Sequence, residues 1–160
     1  MKEQIRVVFD VNIWVNGLVG TDTEYPFLPS VPPTGRNASA DCMSLAFDGD
    51  RFSVFASPHI LRNISKTLEH LGVSRKTSER ALSDVVEMVI YSLGSVVEPD
   101  RIVVHQRDHE DNLILDLVLQ TNSDVLVTLD KELLAANGWK GRAILHPAAF
   151  VKLALTIRPS

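Results

Sequence analysis

The stretch Val7–Gly20, VVFDVNIWVNGLVG, places Asp10 and Asn12 where an apolar, β-branched run stops and a helical pattern begins. Burying a carboxylate at the end of such a run costs several kcal/mol unless something positive stands near it. No glycine-rich phosphate loop follows, so the turn is not built to cradle a nucleotide. An acid and an amide two residues apart at a strand end are therefore the first candidates for chemistry.

Outward from this turn, short β-branched runs alternate with helical periodicity along the chain, which points to βα units around a largely parallel sheet. IRVVFD predicts the first strand and NIWVNGLV a helix. TDTEYPFLPSVPPTG carries four of the eight prolines and reads as a loop insertion over 21–36. ASADCMSLAFDGD predicts a helix and RFSVFA the second strand. In SPHILRNISKTLEHLG, Ser57 suits the N-cap, Pro58 the first helical position and Gly72 the stop, with Ile60, Ile64, Leu68 and Leu71 as the buried stripe. SRKTSERALSDVVEMVIYSLG predicts a further amphipathic helix, followed by the short runs SVVE and RIVVH. The remainder predicts a helix (DHEDNLILDLVLQTN), a strand (DVLVTLD), a helix (KELLAANG), a strand (RAILH) and a last helix (PAAFVKLAL). No internal repeat or linker divides the chain, so residues 1–160 read as a single domain.

Composition agrees with that reading. With 45% hydrophobic and 22% charged residues, the 160-residue chain can form a real core. The single Cys42 excludes an internal disulfide framework, which suits a reducing compartment, the cytoplasm by default. No signal peptide or membrane-spanning run is expected. A net charge of −4 argues against a broad basic footprint for duplex DNA but leaves room for a metal-mediated grip on phosphate.

In an open α/β sheet ligands gather outside the carboxyl ends of the strands. Asp10 ends the first strand, and Asp130 ends VLVTLD with Thr128 two residues earlier on the same side of the extended chain. Asp108 and Asp111 open the helix that leads into that strand. The helix dipole favours acids there whatever their task, and the D-H-E-D spacing also fits a capping arrangement. Three carboxylates converging on one edge would repel each other strongly in a partly desolvated cleft, and a divalent cation resolves that. Oxygen-only ligands select Mg²⁺ or Mn²⁺ over zinc, and the chemistry to expect is phosphodiester hydrolysis.

The ordered set VVFDVNIWVNGLV, FASPHILRNISKTLEHL, RDHEDNLILDLVL, DVLVTLDKELL and RAILHPAAFVKLA resembles the PIN domain, specifically the toxin component of VapC-type toxin–antitoxin systems. The resemblance covers nearly the whole chain. It implies a three-layer α/β/α sandwich with a central, mostly parallel sheet and a Mg²⁺- or Mn²⁺-dependent ribonuclease. A small cognate antitoxin that occludes the site and a homodimer are implied with it. By motif position Asp10, Asp111 and Asp130 fall on the family's catalytic, metal-binding acids, and Asn12 and Thr128 on its polar companions. Glu132 falls where some members carry a further acid.

One position departs from the pattern: Asn63 stands where the family usually has a glutamate. An amide is a weaker ligand for a hard cation, so metal binding should suffer. Glu69 is no replacement, lying about 120° off the Asn63 face, whereas His59, one turn earlier, shares that face. Asp116, about 140° around the helix from Asp111, is expected to face solvent beside Asn112. His109 reads as an exposed first-turn residue, and Trp14 and Trp139 as core or interface anchors. Arg62, Lys66, Arg75, Lys76 and Arg80 read first as a solvated surface, second as a track for an RNA backbone. Two alternatives stand beside the ribonuclease. One is a PIN-fold module that binds RNA or protein without cutting; the other is a phosphotransfer domain with Asp10 as nucleophile. Asn12 weakens the latter, because the haloacid-dehalogenase pattern wants a second aspartate there.

Overall fold

In the chain's computed structural model, the residues described are 4–19, 37–47, 51–104, 106 and 108–157. Four strands, β1 (Ile5–Phe9), β2 (Phe52–Phe55), β3 (Val125–Val127) and β4 (Ala143–Leu145), form one all-parallel sheet in the order β2-β1-β3-β4. Parallel neighbours need long crossovers, and here helices supply them. Helices α1 (Val11–Val19) and α2 (Ala38–Phe47) lie between β1 and β2. Helices α3 (Pro58–His70), α4 (Arg75–Tyr91) and α5 (His109–Gln120) lie between β2 and β3. Helix α6 (Lys131–Ala135) precedes β4, and α7 (Pro147–Thr156) follows it. Because helices flank the sheet, β1 is apolar on both sides: Val7, Val8 and Phe9 are all fully buried. No helix among the described residues is long and apolar enough to cross a membrane.

The chain leaves β1 for β2 on one side and returns to β3 on the other. The gap between β1 and β3 is thus the point where strand order reverses, and a crevice opens there beyond the carboxyl ends. Aromatic edge-to-face packing locks the helices beneath it. Phe9 meets Trp14 at 5.4 Å and Phe150 at 5.8 Å, so strand, first helix and last helix share one cluster. The outer edge of β2 is closed by the segment after α4: Ala56 N–H donates to Ser95 O (3.2 Å) and Val97 N–H to Ala56 O (2.9 Å). The run SVVE therefore adds one parallel bridge, Ala56 to Val96, rather than a strand.

Several expectations need correction. Strand β3 stops at Val127, so Thr128 and Asp130 lie beyond it, and Asp130 is the N-cap of α6. Leu71 is 60% exposed, because the helix ends at His70 and Leu71 caps it; Ile60, Ile64 and Leu68 are the buried stripe. Asp116 does not face solvent. It is buried, accepting the backbone N–H groups of Ile102 (3.0 Å) and Val103 (2.7 Å), while Asn112 exchanges two hydrogen bonds with the backbone of Gln106. The segment packed on α5 has no helix or strand to satisfy it, and these side chains do so instead. His109 is exposed and Trp14 is fully buried, as read, while Trp139 is half-buried against the core. The five basic residues from Arg62 to Arg80 are all exposed. The loop 21–36 lies outside the described residues.

Candidate active site

Asp10 follows β1 directly and is 8% exposed, so its carboxylate must find partners in the protein. Oδ1 accepts from Val11 N–H (2.7 Å). Oδ2 accepts from the Thr128 hydroxyl (2.6 Å) and, at 3.4 Å, from the Asn12 amide. Thr128 Oγ1 in turn accepts from Asp130 N–H at 3.0 Å, and Asn12 Oδ1 accepts from Leu129 N–H at 3.2 Å. The turn after β1 and the exit of β3 are thereby sewn together across the switch point by the side chains of Asp10, Asn12 and Thr128 and the backbone N–H of Leu129. Burial raises the pKa of Asp10. The bonds from Thr128 and Val11 pull it back, the Asp130 charge pushes it further up, and His59 lowers it.

Asp108 and Asp130 both cap helices. Asp108 accepts Glu110 N–H (2.8 Å) at α5, and Asp130 Oδ1 accepts Glu132 N–H (2.8 Å) and Leu133 N–H (3.4 Å) at α6. Asp111, in the first turn of α5, is different. It is 6% exposed, and its Oδ2 is buried with no hydrogen-bond partner. Burial, and then the charges of Asp130, Asp108, Asp10 and Glu132, push its pKa from 3.8 to about 7. A raised pKa together with a buried oxygen that has no partner among the described residues makes Asp111 the leading candidate for chemistry in this region.

Asp10, Asn12, Asn63, Asp108, Asp111 and Asp130 line one cavity of about 340 Å³ at the carboxyl edge of the sheet. Thr128 lies beneath Asp10 rather than on the wall. Glu132 is exposed on α6 and off the cavity wall; its backbone N–H serves Asp130 and its side chain acts through its charge on Asp111. The opposite wall belongs to α3: Asn63 Nδ2 stands 2.8 Å from His59 Nε2, and both groups meet Glu110 Oε2, Asn63 at 3.4 Å. Glu110 went unread as a site residue. The D-H-E-D signal holds it as one of three acids in a cap, and only the approach of α3 gives it a partner.

No described residue lining the cavity is Lys or Arg. The donors are dominated by carboxylate oxygens, the chemistry that suits a hard divalent cation, and the orphaned Asp111 oxygen supports the fit. Among the described residues, no three His, Cys, Asp or Glu side chains are gathered closely enough to hold an ion as they stand. Asp10 spends both its oxygens, on Val11 N–H and the Thr128 hydroxyl, and Asp130 spends Oδ1 on the first N–H groups of α6.

No curated protein matches the chain. A family model described as a PIN domain matches residues 6–132, a span that runs from β1 to the first turn of α6 and includes every acid of the cavity. With that match over well more than half its length, an all-parallel sheet flanked by helices and an acidic crevice at the switch point, the chain belongs to the PIN domain family, a nuclease-type fold.

Proposed function

We propose that the protein is a Mg²⁺- or Mn²⁺-dependent endoribonuclease of the VapC toxin type, acting as a cytoplasmic homodimer and inhibited by a small cognate antitoxin. The observation that carries this reading is Asp111: a buried carboxylate with an unpartnered oxygen, sharing one cavity with Asp10 and Asp130. Asp10, Asp111 and Asp130 are the catalytic, metal-binding acids. Asn12 and Thr128 orient Asp10, and Asp108 fixes the start of α5 so that Asp111 faces the cavity. Glu132 adds negative potential from the rim. A bound divalent cation supplies Lewis acidity toward a phosphodiester and acidifies water for in-line attack. Asp111 must lose its proton before it can take part, so function rises toward neutral pH.

Single-stranded RNA incubated with the protein over a Mg²⁺ and Mn²⁺ titration tests this. Cleavage that needs the metal and disappears in Asp10→Asn is the expected result; metal-independent cleavage, or cleavage that survives Asp10→Asn, sinks the proposal. A second reading, a PIN-fold module that binds RNA or protein without cutting, is favoured by one observation: Asn63 offers an amide, already engaged with His59 and Glu110, in place of an acid. RNA bound without turnover at any metal concentration selects it.

A further inference from the structure

The wall opposite Asp10 raises a question of charge. Asn63 is neutral, yet the cavity does not lack an anion beside it, because Glu110 reaches across from α5 to that point. We propose that Glu110 supplies from α5 the anionic oxygen that Asn63 withholds on α3, serving the cavity as a further acidic donor to a divalent cation, with His59 as its positioning residue. This inference rests on the metal-dependent reading above and deepens it.

Three observations carry it. The Glu110 carboxylate lines the same cavity as Asp10, Asp111 and Asp130, and its Oε2 is held by His59 Nε2 and lies 3.4 Å from the Asn63 amide nitrogen. A glutamate at 63 would set two carboxylates against each other at about this separation, whereas an amide donates to Glu110; Asn63 and Glu110 are thus a matched pair, with the charge moved from one helix to the next. Independently, Asp111, next along α5 and lining the same cavity, has a buried oxygen with no hydrogen-bond partner among the described residues, which points to a ligand in that cavity. Glu110 is 61% exposed, so its charge costs little to keep, and with Oε2 held by His59, itself 18% exposed, its Oε1 is left for an ion.

Calorimetric titration of the full-length protein with Mn²⁺, backed by the fall in free-Mn²⁺ spin-resonance signal, tests this without reference to cleavage. Glu110→Gln should weaken Mn²⁺ binding by about 10- to 100-fold with an unchanged melting temperature in metal-free buffer. The double variant Asn63→Glu/Glu110→Gln, which moves the acid back to α3, should recover affinity to within a few-fold of the parent. His59→Ala should weaken binding, and His59→Gln, which keeps a donor toward Glu110, should retain it. Glu110→Gln binding Mn²⁺ as tightly as the parent, or no recovery in the double variant, overturns the inference. If Asp10→Asn abolishes binding while Glu110→Gln leaves it intact, only the role of Glu110 falls. If the parent binds no Mn²⁺ up to millimolar concentration, the metal-dependent reading falls with it.

Discussion

Asp111 and Thr128 show how single side chains set the behaviour of this cavity. A carboxyl whose pKa is raised by folding holds its proton more firmly in the folded chain than in the unfolded one. Its contribution to stability is therefore full below about pH 4 and is lost as the pH rises through about 7. Asp10 shifts in the same direction. In metal-free buffer the melting temperature should fall between pH 5 and pH 8, and Asp111→Asn should flatten the fall. At pH 8 that variant should exceed the parent by about 1–3 kcal/mol, allowing for screening at the cavity mouth. Equal pH slopes for the two proteins in thermal unfolding would contradict the assignment. Thr128, fully buried, serves both Asp10 and Asp130 with one hydroxyl. Thr128→Val should cost about 1–3 kcal/mol, read by urea unfolding, because it strands a buried carboxylate oxygen and a backbone N–H together.

Among the elements, the segments around α4 and α5 carry demands that periodicity does not reveal. Gly94 follows α4 where the chain passes over β2, and a Cβ built there would stand 1.7 Å from Val54 O. Gly94→Ala must push backbone from backbone, so a loss of at least about 2 kcal/mol in thermal or urea unfolding is expected, where an exposed loop glycine would show a few tenths. Asp116 plays the matching part on α5: its Oδ1 is the acceptor for Ile102 and Val103 in a stretch with no sheet or helix of its own. Asp116→Ala should cost about 1–3 kcal/mol and open a new site of limited proteolysis near 101–104, with Asp116→Asn much milder because it keeps the acceptor oxygen. Both ends of helix α3, by contrast, are legible. Ser57 caps it through Ile60 N–H at 3.1 Å, and Gly72, at φ 86°, closes it with the left-handed residue the stop requires.

For the molecule as a whole, the excess of negative charge at one sheet edge is the property that partners must answer. A divalent cation that binds the folded chain and not the unfolded one stabilises it by mass action. At 100-fold excess over its Kd, Mn²⁺ should add about 2.7 kcal/mol at pH 7.5, and far less in Asp10→Asn; a thermal-shift titration reads both. A protein inhibitor meets the same field. The antitoxin of the proposed pair should lay an Arg or Lys over the acidic edge, since a guanidinium or ammonium neutralises carboxylates without metal. Co-expression should then yield a stable complex and relieve growth arrest. Arrest without relief, or no complex at all, contradicts the toxin role.

What the sequence determined by itself was local and periodic. β-Branched runs predicted every strand of the sheet, capping residues and glycine marked the ends of α3, and the placement of acids beside these elements named Asp10, Asp111 and Asp130 as candidates, because strand alternation, helix period and cap chemistry act within a few residues. Tertiary structure decided what depends on approach across the fold. It stopped β3 at Val127, buried Asp116, and exposed Leu71. It also brought Glu110 to His59 and Asn63, residues 51 and 47 positions away. Pairings of that kind have no local signature: two side chains on different helices meet only when a shared core fixes where those helices lie, and the energy that fixes them is spread over that core, Ile60, Ile64 and Leu68 of α3 and Ile114, Leu115 and Leu117 of α5 among it, rather than written near either residue.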